Sequence, residues 1–329
     1  MDREGFRGFL QKRKGSEDQT MRSISIVEKF EEFLEGLDQS KKTLESATSE
    51  EVAKFSTVLI KEEANTYDNF VALARYGLFA KNNDIYVSFF GLIDGGDVID
   101  VLYEKLGDIA GEEKRDEVFN GIELPPLGLP PSQKPKITQT VVDKLETVVD
   151  AETCKTVLSE VAHGIPKEYH LEKRNEYLRA KTIDEYIERR RAKAIAQLEK
   201  HRDEGTPFFN QEITDEVIDF VKRRPDILTG VRKGNKIYHT KIPYMTKEYL
   251  AETDEMMKRY YCCHCQWARE SIKAGDVEVS PTFCYCSAGF TKQPWEVALD
   301  QPLEVEVVKS VLKGDLECSF LVHLPEGVE

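Results

Sequence analysis

Cys262, Cys263, His264 and Cys265 stand in a row, Cys284 and Cys286 follow with one residue between them, and Cys318 comes later still. Zinc selects such soft thiolates and imidazoles, usually four of them in a tetrahedron. Three separated chain segments supply more than enough of them. The spacing is not the C-x2-C of a zinc finger. One intervening residue puts both thiols of an extended segment on one side, which strains chelation of a single small ion. One sulfur of each pair is therefore expected to bind and the other to face a pocket or core, with Cys263, His264, Cys265, Cys284, Cys286, Glu306 and Cys318 as the candidate metal residues. Two other readings exist: buried free cysteines also act as small hydrophobes, and an iron–sulfur cluster is usually held by four thiolates, though with C-x2-C spacing. Six of the seven cysteines lie beyond residue 260. An odd count in a chain whose thiols stay reduced favours metal or thiol chemistry over a disulfide framework.

Trp267, Trp295, Phe283, Phe290, Tyr260 and Tyr261 surround these residues with aromatic surface, and Arg269 and Glu270 add sparse polar groups. That is the composition of a mostly apolar ligand site. Trp267, Arg269, Phe290 and Trp295 are its candidate lining, with Arg269 able to pair with a ligand carboxylate. Aromatic residues of this kind also build cores. His163 precedes Gly164 and Pro166, the punctuation of a helix C-terminus, and is either a cap or a residue carried to the metal or pocket. His239 and Tyr238 are similar candidates, and Cys154 reads as core. No G-x-S-x-G, Walker A, dinucleotide fingerprint or H-E-x-x-H is present, so the common hydrolase and nucleotide routes lack support.

The elements that must position these residues fall into two parts. Ile24, Ile26, Val27, Phe30, Phe33, Leu34 and Leu37 recur at helical spacing until Gly36 and Asp38. Thr48 and Glu51 have capping-box spacing ahead of Val52, Phe55, Val58, Leu59 and Ile60. Segments 67–81, 84–93 and 95–107 continue the rhythm, predicting a helical bundle over 1–122. Five of the 13 prolines fall in residues 123–136, where missing N–H donors stop a helix and predict a linker over 123–137. The remainder, 138–329, reads as α+β. Helices are expected at 138–150, 152–163, 182–203, 213–223 and 247–258, with Arg189 to Arg191 on a solvated face. A hairpin turns at Gly234-Asn235 between Val231 and His239. The run from Ser280 begins extended and ends helical. Leu303, Val305 and Val307 alternate in a final pair of strands that turns at Gly314-Asp315.

The 329 residues are 40% hydrophobic and 32% charged, enough for two domains with substantial cores. A net charge of -14 repels phosphate backbones and anionic lipid, so nucleic acid is not an expected partner. No apolar run approaches the ~18 residues of a membrane span, and the first residues lack a secretory apolar region, which predicts a cytoplasmic chain.

The run Cys284 to Phe290, then Glu304-Val305-Glu306, Lys313-Gly314-Asp315 and Cys318-Ser319-Phe320, resembles the end of the 4-vinyl reductase type ligand-binding domain. That family includes the sensory domain of phenol-responsive activators and is similar to aminothiazoline-carboxylate hydrolases. The resemblance covers about 40 residues closely and extends over 210–325 more loosely. It implies a zinc ion held by Cys284, Glu306 and Cys318 beside an aromatic-ligand pocket. The family's remaining cysteine falls at Lys309 or Ser310 here, and Cys263 or Cys265 is the implied substitute. Glu306 alternates with Val305 and Val307, so a bulge is needed to turn it inward. The N-terminal helices loosely resemble the core-binding domain of tyrosine recombinases, but no catalytic arrangement of Arg and Tyr follows His170, and acidic residues exceed basic ones there. A protein-contact or homo-oligomerisation role fits those helices better than DNA binding.

These features predict a zinc-containing, small-molecule-binding protein, a sensor or carrier of a partly apolar ligand. Two alternatives stand beside it: a metal- or thiol-dependent hydrolase with Glu306, Glu296 or His264 as base, and a structural zinc site on an interaction module.

Overall fold

The computed structural model describes residues 1–37 and 43–328; the interruption expected at Asp38 lies outside them. The chain forms two compact units, Met1–Gly96 with Pro125–Gln133, and Asp97–Leu124 with Lys134–Glu329.

The first unit is a helical bundle of α1 (Arg3–Gln11), α2 (Glu17–Leu37), α3 (Ser49–Lys61), α4 (Tyr67–Phe79) and α5 (Asn83–Ile93). The capping box forms as its spacing requires: Thr48 Oγ1 accepts from Glu51 N at 3.3 Å and the Glu51 carboxylate accepts from Thr48 N at 2.8 Å. Phe6, Phe30, Phe55, Phe70 and Phe89 fill the core. The proline-rich stretch is not a free linker, because residues 125–133 fold back onto this unit. Ser56 Oγ donates to Gly128 O at 2.5 Å and Asn65 Nδ2 to Leu127 O at 2.9 Å. Gly128 has φ of +84°, and a β-carbon there would lie 2.2 Å from the Phe70 ring, so only glycine fits.

The second unit begins with α6 (Val98–Ala110) and α7 (Glu112–Phe119). These were expected in the first bundle. They belong here because Val98, Ile99, Leu102 and Leu106 pack with Val141, Leu145 and Val157, an assignment that side-chain periodicity alone does not specify. There follow α8 (Lys134–Val148), α9 (Ala151–Val161), α10 (Leu171–Leu178), α11 (Ile183–Glu204) and α12 (Asp215–Arg223). Strands β1 (Val231–Lys233) and β2 (Lys236–Thr240) form the expected hairpin. Helices α13 (Thr246–Ala251), α14 (Glu255–Cys262), α15 (Ser271–Ala274) and α16 (Tyr285–Leu299) come next, then β3 (Val305–Lys309) and β4 (Ser319–His323). The sheet is antiparallel throughout, in the order β1-β2-β4-β3, so the whole is α+β.

Two local differences matter for the site. The single helix expected over 247–258 is two, because Asp254 caps a new one with its side chain on Met257 N at 2.9 Å. The segment from Ser280 is helical rather than extended. Ser280 caps a 3-10 turn with Pro281 in its first position, and that turn runs directly into α16. Cys284 and Cys286 therefore lie at a helix start, and the one-sided geometry of an extended C-x-C does not apply.

Candidate thiol-lined site

Each wall of the site is set by a terminus of an element. At the end of α14 the backbone turns extended at Cys263. Met245 N then donates to Tyr261 O at 2.9 Å and Tyr244 N to Cys262 O at 3.4 Å, which fixes the following segment alongside residues 244–245. Lys241, just past β2, donates its N–H to Cys318 O at 3.0 Å, just before β4. The start of α16 supplies Cys284, Cys286 and Ser287. A fourth wall comes from the end of α9, where Ala162, His163 and Gly164 have φ of +43°, +60° and +74° in succession. Two non-glycine residues in the left-handed region store strain, which concentrates at functional sites. The bend points the His163 backbone N–H at Cys286 Sγ, 3.3 Å away.

These walls enclose a cavity of about 20 Å³ lined by Cys263, Cys265, Cys284, Cys286 and Cys318 together with His163, His264, Lys241 and Ser287. That volume holds one water or a bare ion. Burial raises the Cys263, Cys265 and Cys284 thiols far above their ordinary range, and neighbouring thiols add to it. Cys286 is raised by burial to about 11. Cys318 is lowered, because a hydrogen bond from the Cys262 thiol outweighs its burial. Burial, then the Lys241 charge, lowers His264 to about 3, so it is a neutral imidazole at pH 7, with Nε2 2.5 Å from Ile242 O. His163 is depressed by the same causes. Lys241 is lowered by burial, the thiols around it opposing the shift.

Lys241 and Ser287 carry no signal in the sequence comparable to the cysteines, yet they join the cluster most directly. Lys241 Nζ lies 2.8 Å from Ser287 Oγ and 3.3 Å from His163 Nε2, and His163 Nε2 lies 3.1 Å from Ser287 Oγ. The ammonium also sits 4.9 Å from the centre of the Phe290 ring. Lys241 could have been found only by noting a lysine where a buried strand ends, and Ser287 only by its place directly after the C-x-C pair.

The other expected residues separate. Glu306 is exposed on β3, opposite Leu321, and its carboxylate meets His323 at 2.5 Å. It lines a different groove of about 470 Å³ with Glu152, Lys155, Lys292 and Glu304. The irregularity in the β3–β4 pairing comes after Val307, too late to turn Glu306 inward. Buried Ser310 instead meets Cys284 Sγ at 3.0 Å. Trp267 is core beside α8, its carbonyl accepting from Thr138 Oγ1 at 2.8 Å. Trp295 packs edge-on against Tyr186 in another core. Arg269 lies over Tyr244 and Tyr260 at 4.5 and 5.1 Å from the ring centres. None of the four expected lining residues stands in the cavity wall. Phe290 borders the thiol cluster through Lys241 and His163, while Trp267 and Arg269 adjoin it through their backbone N–H groups, Trp267 towards the Cys265 thiol and Arg269 to Cys265 O at 2.8 Å. His239 sits within β2, held neutral by burial near 3, and Tyr238 is partly exposed.

Among the described residues no three His, Cys, Asp or Glu side chains stand at ligating positions around one point. No helix among the described residues is long and apolar enough to cross a membrane. No family model, curated protein or solved structure matches this chain.

Proposed function

We propose that the second unit binds one soft metal ion, zinc foremost, through the thiolates of Cys263, Cys265, Cys284 and Cys318, and that the protein binds a small molecule beside it. The observation that carries this reading is the convergence of five thiols from three remote segments on one cavity of about 20 Å³. The cysteines pack against apolar side chains such as Phe283, Val311 and Phe320, and on the cavity side they also meet a lysine, two histidines and each other. When bound, zinc would supply Lewis acidity and hold the final hairpin to the end of α14. Lys241 would balance the excess negative charge of four thiolates, and Ser310 would orient Cys284. His163, Ser287 and Phe290 are half-buried, so a small molecule would approach from their side. The resemblance to 4-vinyl reductase type domains supports the same reading, with Glu306 left out of the ligand set.

Metal analysis of protein purified without chelators tests it. The expected result is about one zinc per chain, lost together with thermal stability in Cys284→Ser and Cys318→Ser. Iron with acid-labile sulfide would replace the ion by a cluster, and protein purified anaerobically without stoichiometric metal would overturn the reading.

A second reading has its own observation. A hydroxyl within hydrogen-bonding distance of both a lysine and a histidine is the arrangement of an activated nucleophile. Ser287 Oγ would attack an acyl carbon while neutral His163 takes its proton and returns it to the departing group as the acyl–leaving-group bond breaks. Water would then hydrolyse the acyl-serine, making the protein a hydrolase, with Lys241 donating to Ser287 Oγ as a positioning group. Covalent labelling by a fluorophosphonate that disappears in Ser287→Ala would establish it, and absence of labelling in the intact protein would exclude it.

A further inference from the structure

The triple arginine of α11, expected on a solvated face, divides into three environments. Arg191 reaches into the loop after α12, and its guanidinium donates to the carbonyls of Val221, Lys222, Arg224, Pro225 and Ile227 at 2.8–3.3 Å. Arg189 pairs with Glu185 at 2.5 Å and donates to Arg179 O at 3.0 Å. Arg190 points the other way. Its guanidinium lies 5.3 Å from the centre of the Tyr186 ring and 5.4 Å from that of Trp295. Among the described residues Arg190 has no carboxylate partner, and its buried Nη1 has no hydrogen bond.

Beside it is a cavity of about 200 Å³ lined by Glu176, Arg179, Tyr186, Arg189, Arg190 and Lys193. Four cations face one carboxylate. Glu176 is already engaged by Lys193 at 2.6 Å and Lys173 at 3.3 Å, and Lys193 also meets Glu172 at 3.3 Å. Arg179 forms no ion pair with any described residue. The Tyr186 side chain is 1% exposed, and its hydroxyl lies against the Arg190 guanidinium. A buried hydroxyl and a buried guanidinium N–H with hydrogen-bonding capacity to spare favour an acceptor placed beside them. In a chain of net charge -14, a local excess of positive charge is not a by-product of composition.

We propose that this cavity, formed by α10, α11 and the loop between them, binds the phosphoryl group of a small molecule. A dianionic phosphoryl group matches the two guanidinia without ion pairs, which a single carboxylate would leave half-neutralised. Its oxygens accept from Arg190 Nη1 and Tyr186 Oη, Arg179 closes the exposed side, and the planar guanidinia allow two-point contact. The volume leaves room for a few atoms beyond phosphate itself, so a phosphomonoester fits better than the free ion. None of these residues lines the thiol cavity, and the inference does not rest on the metal.

Trp295, against which Arg190 stacks, reports occupancy by its fluorescence. Titration of the full chain with inorganic phosphate and separately with glycerol phosphate, at ionic strength held constant with sodium chloride, should give a saturable change, with the ester binding more tightly. Equilibrium dialysis of the same two ligands measures binding independently of the tryptophan. Arg179→Gln, at an exposed position that folding does not require, should weaken binding about tenfold, and Arg190→Gln should abolish it. Absence of saturable binding at ten-millimolar ligand, affinity unchanged in Arg179→Gln, or malonate binding more tightly than both phosphates would overturn the proposal.

Discussion

A β-carbon built on Gly289 would lie 1.8 Å from the carbonyl oxygen of Ser159. Helices α16 and α9 therefore touch backbone to backbone one turn beyond Cys286 and Ser287, and this contact brings the start of α16 against the end of α9 that carries His163. Gly289→Ala cannot be absorbed by rotating a side chain, since the obstacle is main chain. It should destabilise the protein by about 3 kcal/mol, the upper end of overpacking costs, and urea denaturation would measure it. The same displacement should lengthen the Ser287 to His163 contact, so bound metal or fluorophosphonate labelling should fall with it. A variant as stable as the parent would mean that the two helices are not in contact at this point.

Glu296 is the buried centre of a charge network farther along α16. Its carboxylate pairs with Lys292 at 2.7 Å and Lys167 at 2.9 Å, and accepts from Leu303 N at 3.0 Å, while Lys292 also reaches Glu160 at 2.7 Å. Glu296→Gln keeps the shape and the Leu303 hydrogen bond but leaves Lys292, 8% exposed, with Glu160 alone. Breaking a buried pair at one partner costs about 3–5 kcal/mol, so with Glu160 remaining about 2–3 kcal/mol is expected. Lys292→Met combined with Glu296→Leu should recover most of that loss, because the uncompensated charge is removed with its partner. Failure of the double variant to recover would assign the loss to packing instead.

The legible parts of this chain are those whose causes are local. The capping box at Thr48 and Glu51, the turn at Gly234-Asn235 and the alternation of Leu303, Val305 and Val307 into β3 are written in residues that touch one another or nearly so. The cysteines stood out because their number and clustering are unusual, and the cavity collects Cys263, Cys265, Cys284, Cys286 and Cys318. Long-range placement was not legible. Nothing near Val98 or Leu102 says that α6 packs with α9 rather than with the helices before it. Trp267 and Trp295 flank the cysteines in sequence yet lie in two separate cores. Lys241 looks like any strand-end lysine until Cys318, 77 positions later, is tied to its backbone. The run Arg189 to Arg191 looks uniform, but a helix turns successive side chains by about 100°, and only the tertiary surroundings give each arginine a different partner.

The entry into β1 and the start of β4 are joined by charge, with a consequence at low pH. Arg224 binds Asp226 at 2.8 Å and Glu317 at 2.6 Å. Burial alone would raise the Asp226 carboxyl, but hydrogen bonds from Arg224 and Thr240 and the Arg224 charge outweigh it and bring the group to about 2. A carboxyl depressed in the folded state binds its proton more readily when unfolded. Its contribution to stability is therefore fully present above about pH 4 and is lost as the pH falls from there towards 2. The shift corresponds to about 2 kcal/mol, reduced to about 1–2 kcal/mol by the partial exposure of the pair. Asp226→Asn should lower stability by that amount at pH 7 and flatten the acid limb of the curve between pH 4 and 2. Because Glu317 precedes Cys318, the variant should also loosen the start of β4, seen as faster amide exchange at Ser319 and Phe320. Parallel stability curves for parent and variant across that pH range would show that Asp226 is not held by Arg224 in solution.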